Sequence, residues 1–407
     1  MKKLFFLLAI LLIGCTKTDV FEGENQILIE PIAKCIDGFA GEYPCNDYDL
    51  LTHIPLEKFI GTKGNDCWGW VDPLTKKEYA LMGTDAGITF IDITNPKNAV
   101  IIGGLKTRTD NSSWRDVKVH NSIAYIVSEA DKHGMQLFNL LRLRSINNPP
   151  VEFTSDTDYT EFGSAHNIII NEESGFAYAV GAKNEDGSRN FNGGPHFIDL
   201  NIPFRPAAAG GFPDSSYSHD AQVVTYKGPD IDYLDKEILI GSNENEVVIV
   251  DVTDKENPKK ISSITYSDIG YTHQGWFTED FKYFLLGDEL DEQRKGVNTR
   301  TIIFDFTDLD NPVFHFNYLG PTAAIDHNGY VKGNLFYQAN YTAGVKIIDI
   351  SNIENKDIKE VGFFDTHPEN DNTFFNGAWN VYPYLPSGNI IISDINRGLF
   401  IIRKSNS

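Results

Sequence analysis

The sequence predicts an all-β protein, a seven-bladed β-propeller whose last blade is completed by the N-terminal strand. Apolar strand-like segments recur in seven repeats of roughly 47–54 residues, and repeats of about this length with four strands each are typical of propellers. Turn-forming residues separate the segments. The seventh repeat lacks an outer strand, and an unassigned strand-like segment precedes the first repeat.

The second and third strands of the repeats are the most regular. They are rich in Val, Ile and Phe, which favour strands, and Asp or Asn-Pro often follows the third strand and favours a turn. The third strands are GITFIDITNP (87–96), MQLFNLLRL (135–143), PHFIDLNIP (195–203), EVVIVDVTDKENP (246–258), RTIIFDFTDLDNP (300–312), GVKIIDISN (344–352) and RGLFIIRK (397–404). The second strands are EYALMGTD (78–85), IAYIVSEA (123–130), GFAYAVGAK (175–183), KEILIGSN (236–243), KYFLLGDE (282–289), NLFYQAN (334–340) and GNIIISDI (388–395).

Ring closure is predicted from the outer strands. Four repeats show one directly after the third strand, at 99–107, 259–267, 313–320 and 358–366. The seventh repeat stops at its third strand, and DLLTHIPLEKFIG (49–61) has the composition of the missing strand. Pairing there would leave no open sheet edge. The alternative is an open solenoid, which would need capping repeats.

The remaining long segments are predicted to be loops. The stretches 184–195, 205–218 and 288–299 are rich in Gly, Asn, Asp and Pro, which favour turns. No segment of ten or more residues shows a helical period.

The N-terminus has the pattern of an export signal. Lys2 and Lys3 precede an apolar run that is too short to span a bilayer, and Gly14-Cys15 follows it. The pattern resembles the bacterial lipobox, in which the cysteine is acylated; the alternative is an ordinary secretion signal with an incidental cysteine. The predicted divisions are a signal peptide (1–15), a tether (16–30), a disulfide-closed loop (31–48) and the propeller (49–407).

The net charge and the predicted lipid anchor restrict the classes of molecule that the protein can bind. The net charge of −22 disfavours nucleic acid and anionic lipid surfaces. No other segment has 18 consecutive apolar residues, so a lipid on Cys15 would attach the protein to the membrane. We expect an extracytoplasmic protein, lipid-anchored at the outer membrane or cell surface, with a protein or a glycan as its ligand.

Cys35 and Cys45 bracket the short segment CIDGFAGEYPC. In an oxidising compartment this spacing predicts a disulfide that closes a small loop.

The first strand of each propeller blade lines the central channel, so equivalent positions on these strands converge on one axis. The aligned residues are Cys67, Trp114, His166, His219, His273, His327 and Asn376. Arg115 and Asp220 directly follow two of them and are also expected to line the channel. Arg115 would form a salt bridge with a channel carboxylate or bind an anion. The alternative for Cys67 is a buried small apolar residue.

Four of the 10 histidines thus share one position in consecutive repeats. Neutral imidazole is a common ligand of transition metals, so these four form a candidate site for Zn, Fe, Cu or Mn. On a channel with room for water, such a site would be of the open, catalytic type. The alternative is structural, with each histidine bonded to the backbone of the neighbouring blade.

Asp288 and Glu289 begin the densest acidic cluster of the chain. Carboxylates there are a candidate Ca²⁺ site, although the spacing does not match an EF-hand loop. The alternative is a solvated acidic loop. The chain contains no nucleophile elbow, P-loop or Cys-x-x-Cys motif.

Several motifs resemble one family. The segment CIDGFAGEYPCNDYDLL (35–51) followed by His53-Ile54 resembles the N-terminal signature of the choice-of-anchor B family, and VVIVD (247–251) resembles its LVIVD repeat. SAHN (164–167), SHDA (218–221), THQG (272–275) and DHNG (326–329) look like its repeats. The resemblance covers roughly residues 30–403. The resemblance implies an extracytoplasmic, propeller-like protein that is attached to the cell surface by varied anchors. It implies no particular reaction, because the family has no established one.

Three hypotheses of function follow. The first is an envelope lipoprotein that binds a partner through one propeller face, with a metal held by the channel histidines. The second is a metal-dependent hydrolase or oxidoreductase that uses the four-histidine site. The third is a structural surface protein. Propellers host binding and catalysis alike, so the fold alone does not separate them.

Overall fold

The computed structural model describes residues 33–405, which form a seven-bladed β-propeller. Each blade contains four antiparallel strands, and the first strand of each blade lies innermost. The predicted signal peptide, the lipidation site at Cys15 and the tether lie outside the described residues.

The strands follow one another in chain order around the ring. The N-terminal segment contains β1 (Phe39–Ala40), β2 (Tyr43–Asn46) and β3 (Tyr48–Ile54). Blade 1 contains β4 (Gly64–Val71), β5 (Glu78–Thr84), β6 (Gly87–Asp92) and β7 (Val100–Lys106). Blade 2 contains β8 (Arg115–His120), β9 (Ile123–Ser128), β10 (Met135–Asn139) and, after the short β11 (Val151–Phe153), β12 (Thr157–Tyr159). Blade 3 contains β13 (Asn167–Asn171), β14 (Phe176–Val180), β15 (His196–Asp199) and β16 (Ala207–Gly211).

The second half of the ring has the same plan. Blade 4 contains β17 (Asp220–Thr225), β18 (Glu237–Asn243), β19 (Glu246–Asp251) and β20 (Lys259–Ile264). Blade 5 contains β21 (Thr272–Phe277), β22 (Tyr283–Asp288), β23 (Arg300–Asp305) and β24 (Val313–Leu319). Blade 6 contains β25 (Gly329–Lys332), β26 (Leu335–Ala339), β27 (Val345–Asn352) and β28 (Asp357–Phe364). Blade 7 contains β29 (Ala378–Tyr382), β30 (Ile390–Asp394), β31 (Gly398–Lys404) and β3.

The N-terminal strand closes the ring, as predicted. β3 pairs antiparallel with β31, from Tyr48 opposite Lys404 to Ile54 opposite Leu399. The inner strand of blade 7 also contacts that of blade 1. The pairing covers the edge of β31 that would otherwise be open.

The apolar core lies between neighbouring blades. Leu51, Ile54, Cys67, Met82 and Ile401 pack together between blades 7 and 1. Similar clusters join the other blades. Each side chain fully buried in this way stabilises the fold by about 1.5–3 kcal/mol relative to its exposed state. This packing fixes the inner strands around the channel.

Helices are short in the described range. The 3₁₀ helices are η1 (Leu56–Lys58), η2 (Pro96–Asn98), η3 (Leu140–Ser145), η4 (Asn190–Gly193), η5 (Pro213–Ser215), η6 (Ile231–Tyr233) and η7 (Ile353–Asn355), and the α-helix is α1 (Asp291–Lys295). This agrees with the predicted lack of long helices. Among the described residues, no helix has the length and apolar character needed to cross a bilayer.

The structure differs from the prediction in five segments. The stretch 205–218 contains the outer strand β16, and 288–299 contains α1, so neither is only a loop. The third strand of blade 2 ends at Asn139, where η3 follows. β11 pairs in parallel with β7 and adds a fifth strand to blade 1. Part of the segment 31–48 is strand, because β2 pairs with β28 and extends blade 6.

The predicted disulfide is present. Cys35 and Cys45 are bonded, with their Cα atoms 6.0 Å apart. Cys45 lies on β2 and is buried, so the bond ties the start of the described chain to the edge of blade 6.

Candidate functional site

The four histidines at the starts of the inner strands come together at one mouth of the channel. We call His166, His219, His273 and His327 the histidine tier. Neighbouring ring centroids in this tier are 4.3, 4.4 and 4.5 Å apart, in chain order. The tier therefore forms a continuous arc across blades 3 to 6.

The next blade continues the arc with a different residue. The Trp379 ring lies 4.7 Å from that of His327, so Trp379 takes the position predicted for Asn376. Asn376 lies in the loop before β29, and the prediction that it is the seventh member of the column is wrong. The loop that leads into blade 7 shifts the register by three residues.

Two further positions of the predicted column are corrected. Asp66 and Trp68 border cavities of the channel, and side chains alternate along a strand, so Cys67 faces away from the channel and is fully buried in the core between blades 7 and 1. Trp114 borders a small cavity at the tier but is 47% exposed. Arg115, the first residue of β8, lines that cavity from a buried position.

Within the described residues, the Arg115 guanidinium bonds to a carbonyl oxygen and a histidine ring, and not to the channel carboxylate that one prediction gave it. Its Nε donates to the carbonyl oxygen of Thr84 (3.1 Å), and its Nη1 lies 3.0 Å from Nε2 of His133. Burial lowers the pKa of Arg115 to about 10 and, together with the Arg115 charge, lowers that of His133 to about 3. The guanidinium therefore helps to join blades 1 and 2.

Hydrogen bonds orient three of the four tier rings. Nδ1 of His219 donates to the carbonyl oxygen of His273 (3.3 Å), and Nδ1 of His327 donates to that of Trp379 (2.6 Å). Nδ1 of His166 lies 2.6 Å from Oε1 of Glu129. A carbonyl can only accept, so each ring bonded in this way carries its hydrogen on Nδ1 and keeps a lone pair on Nε2.

His273 differs from the other three. Its ring is 2% exposed, and within the described part of the chain its Nδ1 has no hydrogen-bond partner. Burial lowers the pKa of His219 and His273 well below the usual value and that of His327 to about 3. Burial acts in the same direction on His166, but the hydrogen bond and charge of Glu129 outweigh it and raise its pKa. Three of the rings are therefore neutral near pH 7.

Glu289 brings a carboxylate to the tier. Its oxygens lie 3.7 Å from Nε2 of His273 and 3.7 Å from Nε2 of His327, and the Tyr341 hydroxyl donates to Oε1 (2.9 Å). Burial raises the pKa of Glu289 to about 7. Donor atoms of His219, His273 and Glu289 all lie within 4.8 Å of one another.

This donor set fits a transition-metal ion better than Ca²⁺. Two imidazoles with one carboxylate are a known catalytic zinc set, whereas Ca²⁺ takes oxygen ligands. Ligand atoms about 2.0–2.1 Å from a tetrahedral ion are about 3.3 Å apart, so binding would draw the three side chains inward.

Asp288 takes no part in this group, and its predicted Ca²⁺ site is not supported. It accepts hydrogen bonds from the amides of Gly270 (2.7 Å) and Tyr271 (2.5 Å) and from the Tyr266 hydroxyl (2.8 Å). Its oxygens are thus already occupied by donors. The acidic cluster is also not a solvated loop, because Asp291 is buried and Nε of Arg300 donates to it (2.6 Å).

The channel contains a small and a wide cavity. The small cavity, of ≈ 10 Å³, touches Arg115, His166, His273, His327 and Trp379 and has room for about one water. The wide cavity, of ≈ 580 Å³, lies toward the ends of the inner strands. Asp220 lines it, as expected for a channel residue, and burial together with the charge of Asp116 raises the pKa of Asp220 to about 7.

Comparison with known proteins supports the fold. No family model matches the chain, and no curated protein matches it. A solved protein from Lactobacillus plantarum aligns with a TM-score of 0.52 and 12% identity over 81% of this chain and 88% of that one. Hydrazine synthase from Kuenenia stuttgartiensis aligns with a TM-score of 0.56 and 13% identity over 81% and 93%. At these identities the likeness shows the fold alone, and the fold does not separate binding from catalysis.

Proposed function

We propose that this chain is a binding module of the cell envelope that carries a transition-metal ion at one mouth of its channel. His219, His273 and Glu289 would hold the ion, with His166 and His327 beside them. The observation that carries the proposal is the convergence of these donors, together with the unpartnered Nδ1 of the buried His273.

The bonds around the tier support this proposal. His219 has its Nδ1 bonded to a backbone carbonyl, which leaves Nε2 for an ion. Tyr341 holds Glu289 in place from the other side. Three protein ligands leave a position for a water or for a group of the bound partner. A protein or a glycan could therefore be held through a carboxylate or hydroxyl oxygen.

Metal analysis of the untagged mature chain tests the proposal. After dialysis against Zn²⁺ or Co²⁺, we expect about one ion per chain by elemental analysis. The double variant His219→Ala/His273→Ala should lose it while keeping its circular dichroism spectrum. His315→Ala is the matched control, because this ring on β24 bonds only to the carbonyl of Ile353 (3.0 Å) among its described hydrogen bonds. Failure of the native chain to take up either ion would refute the proposal.

A metal-dependent hydrolase is the second candidate. The observation that favours it is the ≈ 10 Å³ cavity beside His273 and His327, which has room for a water next to the ion. Zn²⁺ lowers the pKa of a bound water to about 7 and makes it a nucleophile. Ester and peptide substrates assayed with the metal-loaded and metal-free chain test this candidate, and equal rates in both would exclude it.

Envelope attachment is part of the same proposal. The apolar run before Cys15 and the Gly14-Cys15 pair support acylation of Cys15. Labelling of the full chain with a palmitate analogue in a bacterial host tests it, with Cys15→Ser as the variant that should stay unlabelled.

A further inference from the structure

The wide cavity begins beside the histidine tier, at the residues that directly follow the histidines, and continues along the inner strands away from it. Its volume of ≈ 580 Å³ is in the range of small-molecule sites, and no tier histidine lines it. It is bordered by residues of the inner strands of blades 1 to 7 and by the turns that follow them. It is therefore a second candidate site, independent of the proposed metal.

One wall of the wide cavity is a connected belt of aromatic rings. Trp68 lies 4.9 Å from Tyr382 and 5.8 Å from Tyr330, measured between ring centroids. Trp276 lies 4.9 Å from Tyr330, and Tyr384 lies 5.5 Å from Tyr382. These rings come from blades 1, 5, 6 and 7. They offer the π faces that bind cations and apolar groups.

The charged residues of the lining are mostly acidic. The lining contains five carboxylates and one ammonium group. The acidic residues are Asp116, Glu172, Glu173, Asp220 and Glu279, and the basic one is Lys118. Carboxylates in a concave site bordered by apolar walls focus a negative potential, which attracts cations and repels anions.

Lys118 already shows how the cavity wall holds an ammonium group. Its Nζ lies 4.6 Å from the centroid of the Trp68 ring, 2.5 Å from Asp116 and 3.3 Å from Asp66. The cation is thus held by one aromatic face and two carboxylates.

Asp220 is a carboxylate of this wall on which the Lys118 charge acts without forming a salt bridge. It accepts a hydrogen bond from the amide of Ala221 (2.7 Å), and no Lys or Arg in the described range forms a salt bridge with it. Glu173, by contrast, pairs with Lys227 (3.5 Å), and Glu279 accepts from the amide of Gly333 (2.5 Å). A cation entering from solvent would meet Glu172 at the rim and Asp220 further in.

We infer that the wide cavity binds an organic cation, a small molecule with an amine or quaternary ammonium group beside the aromatic belt. The belt supplies cation–π contacts, and the unpaired carboxylates balance the charge. A neutral sugar could stack on the rings but would leave the carboxylates uncompensated. An anion would be repelled by them.

Titration calorimetry with matched probes tests this inference on the mature chain. The probes are choline and 1,5-diaminopentane, and their neutral counterparts are 3,3-dimethyl-1-butanol and 1,5-pentanediol. We expect binding of at least one cation, at least tenfold tighter than its neutral counterpart and weakened by salt. Equal binding of the neutral probe, or no binding of either cation at millimolar concentration, would overturn the inference.

Two variants locate the binding in the cavity. Trp276→Leu should weaken cation binding at least tenfold, and Glu172→Gln, an exposed change that leaves the packing intact, should weaken it about threefold at low salt. Phe314→Leu and Glu256→Gln are the controls, because both residues are exposed outside the cavity. If the controls weaken binding as much as the cavity variants, the site lies elsewhere. Removal of metal should leave the affinity unchanged, which separates this test from that of the proposed function.

Discussion

At the scale of single residues, neighbours in sequence can have unrelated roles. Asp288 and Glu289 were predicted together as an oxygen site, but Asp288 binds backbone amides while Glu289 turns to the histidine tier. Their side chains leave the chain on opposite sides as β22 ends. The sequence predicted one acidic cluster for both carboxylates and could not assign them separate roles.

The histidine tier was also only partly predictable from the sequence. Four histidines in one register could be predicted because the repeats preserve their position. Trp379 could not, because the loop before β29 differs in length from those of other blades. His219 and His327 bond to the backbone of the next blade, as the structural alternative predicts. A ring bonded through Nδ1 can still bind a metal through Nε2, so the structural and metal-binding hypotheses are compatible for these two histidines.

Glu292 leads to a prediction on pH-dependent stability. It is 2% exposed and lies beside the carboxyl groups of Asp291 and Asp326. Burial, with the charges of Asp326 and Asp291, raises its pKa to about 11. Its unfolded pKa is about 4.3, so the folded state carries a penalty that grows as pH rises above that value.

Glu292→Gln should therefore increase the unfolding free energy at pH 7 by about 1–3 kcal/mol, with the gain vanishing near pH 4. Urea unfolding at several pH values measures it. The exposed Glu256→Gln is the control. A gain in unfolding free energy that does not depend on pH, or a loss at pH 7, would contradict the role of the buried Glu292 carboxyl.

At the scale of elements, the strands rich in Val, Ile and Phe were predictable from sequence. The strands that form only because they pair with a neighbouring strand were not. The predicted third strands begin at the same residues as β6, β19 and β23, at Gly87, Glu246 and Arg300, and extend past their ends into the turns. β16 reads AAAGG, without a β-branched residue, and is a strand because it pairs with β15. β11 exists only through its parallel pairing with β7.

An ion pair links the first two blades. Arg144, in η3, donates from Nε and Nη2 to both oxygens of Asp72 (2.7 and 2.6 Å), and the Asp72 side chain is fully buried. These hydrogen bonds hold the pKa of Asp72 well below its usual value. The folded state is therefore stabilised above pH of about 3.9, and this contribution is lost as pH falls.

We expect Asp72→Asn to lower the unfolding free energy at pH 7 by about 1.5–3 kcal/mol, because a charge-assisted pair is replaced by a neutral contact. The difference should shrink below pH 4. Asp92→Asn serves for comparison, since Asp92 pairs with the exposed Lys77 and such pairs contribute about 0–1 kcal/mol. Equal losses at pH 3 and pH 7 would argue against an electrostatic origin.

At the scale of the whole molecule, closure is the feature that the sequence predicted best. The missing outer strand of the last repeat and the spare segment at 49–61 sufficed, and the structure places β3 there. The pairing of β2 with β28 was not predictable, because it adds a strand beyond the four of the repeat.

Removal of β3 should destabilise the entire ring. A chain that begins at residue 56 leaves the edge of β31 unpaired and lacks Leu51 and Ile54, which pack between blades 7 and 1. We expect broad, low-temperature melting in calorimetry and a tendency to aggregate. A chain that begins at residue 47 keeps β3 and should melt much closer to the native protein. Identical melting of the two chains would show that closure does not depend on β3.

The same pairing also sets the order of folding events. Ser405 donates to the side chain of Asp49 (2.7 Å) across a separation of 356 residues, so β3 must wait for the synthesis of β31, the last strand of the ring. Contacts between residues so far apart in sequence form late. The entropy cost of closing the loop between them becomes small only after the intervening blades are compact. Until then β3 and β31 are both unpaired edges. Pulse-labelled hydrogen exchange during refolding should accordingly find these two strands protected together, and after the blades between them.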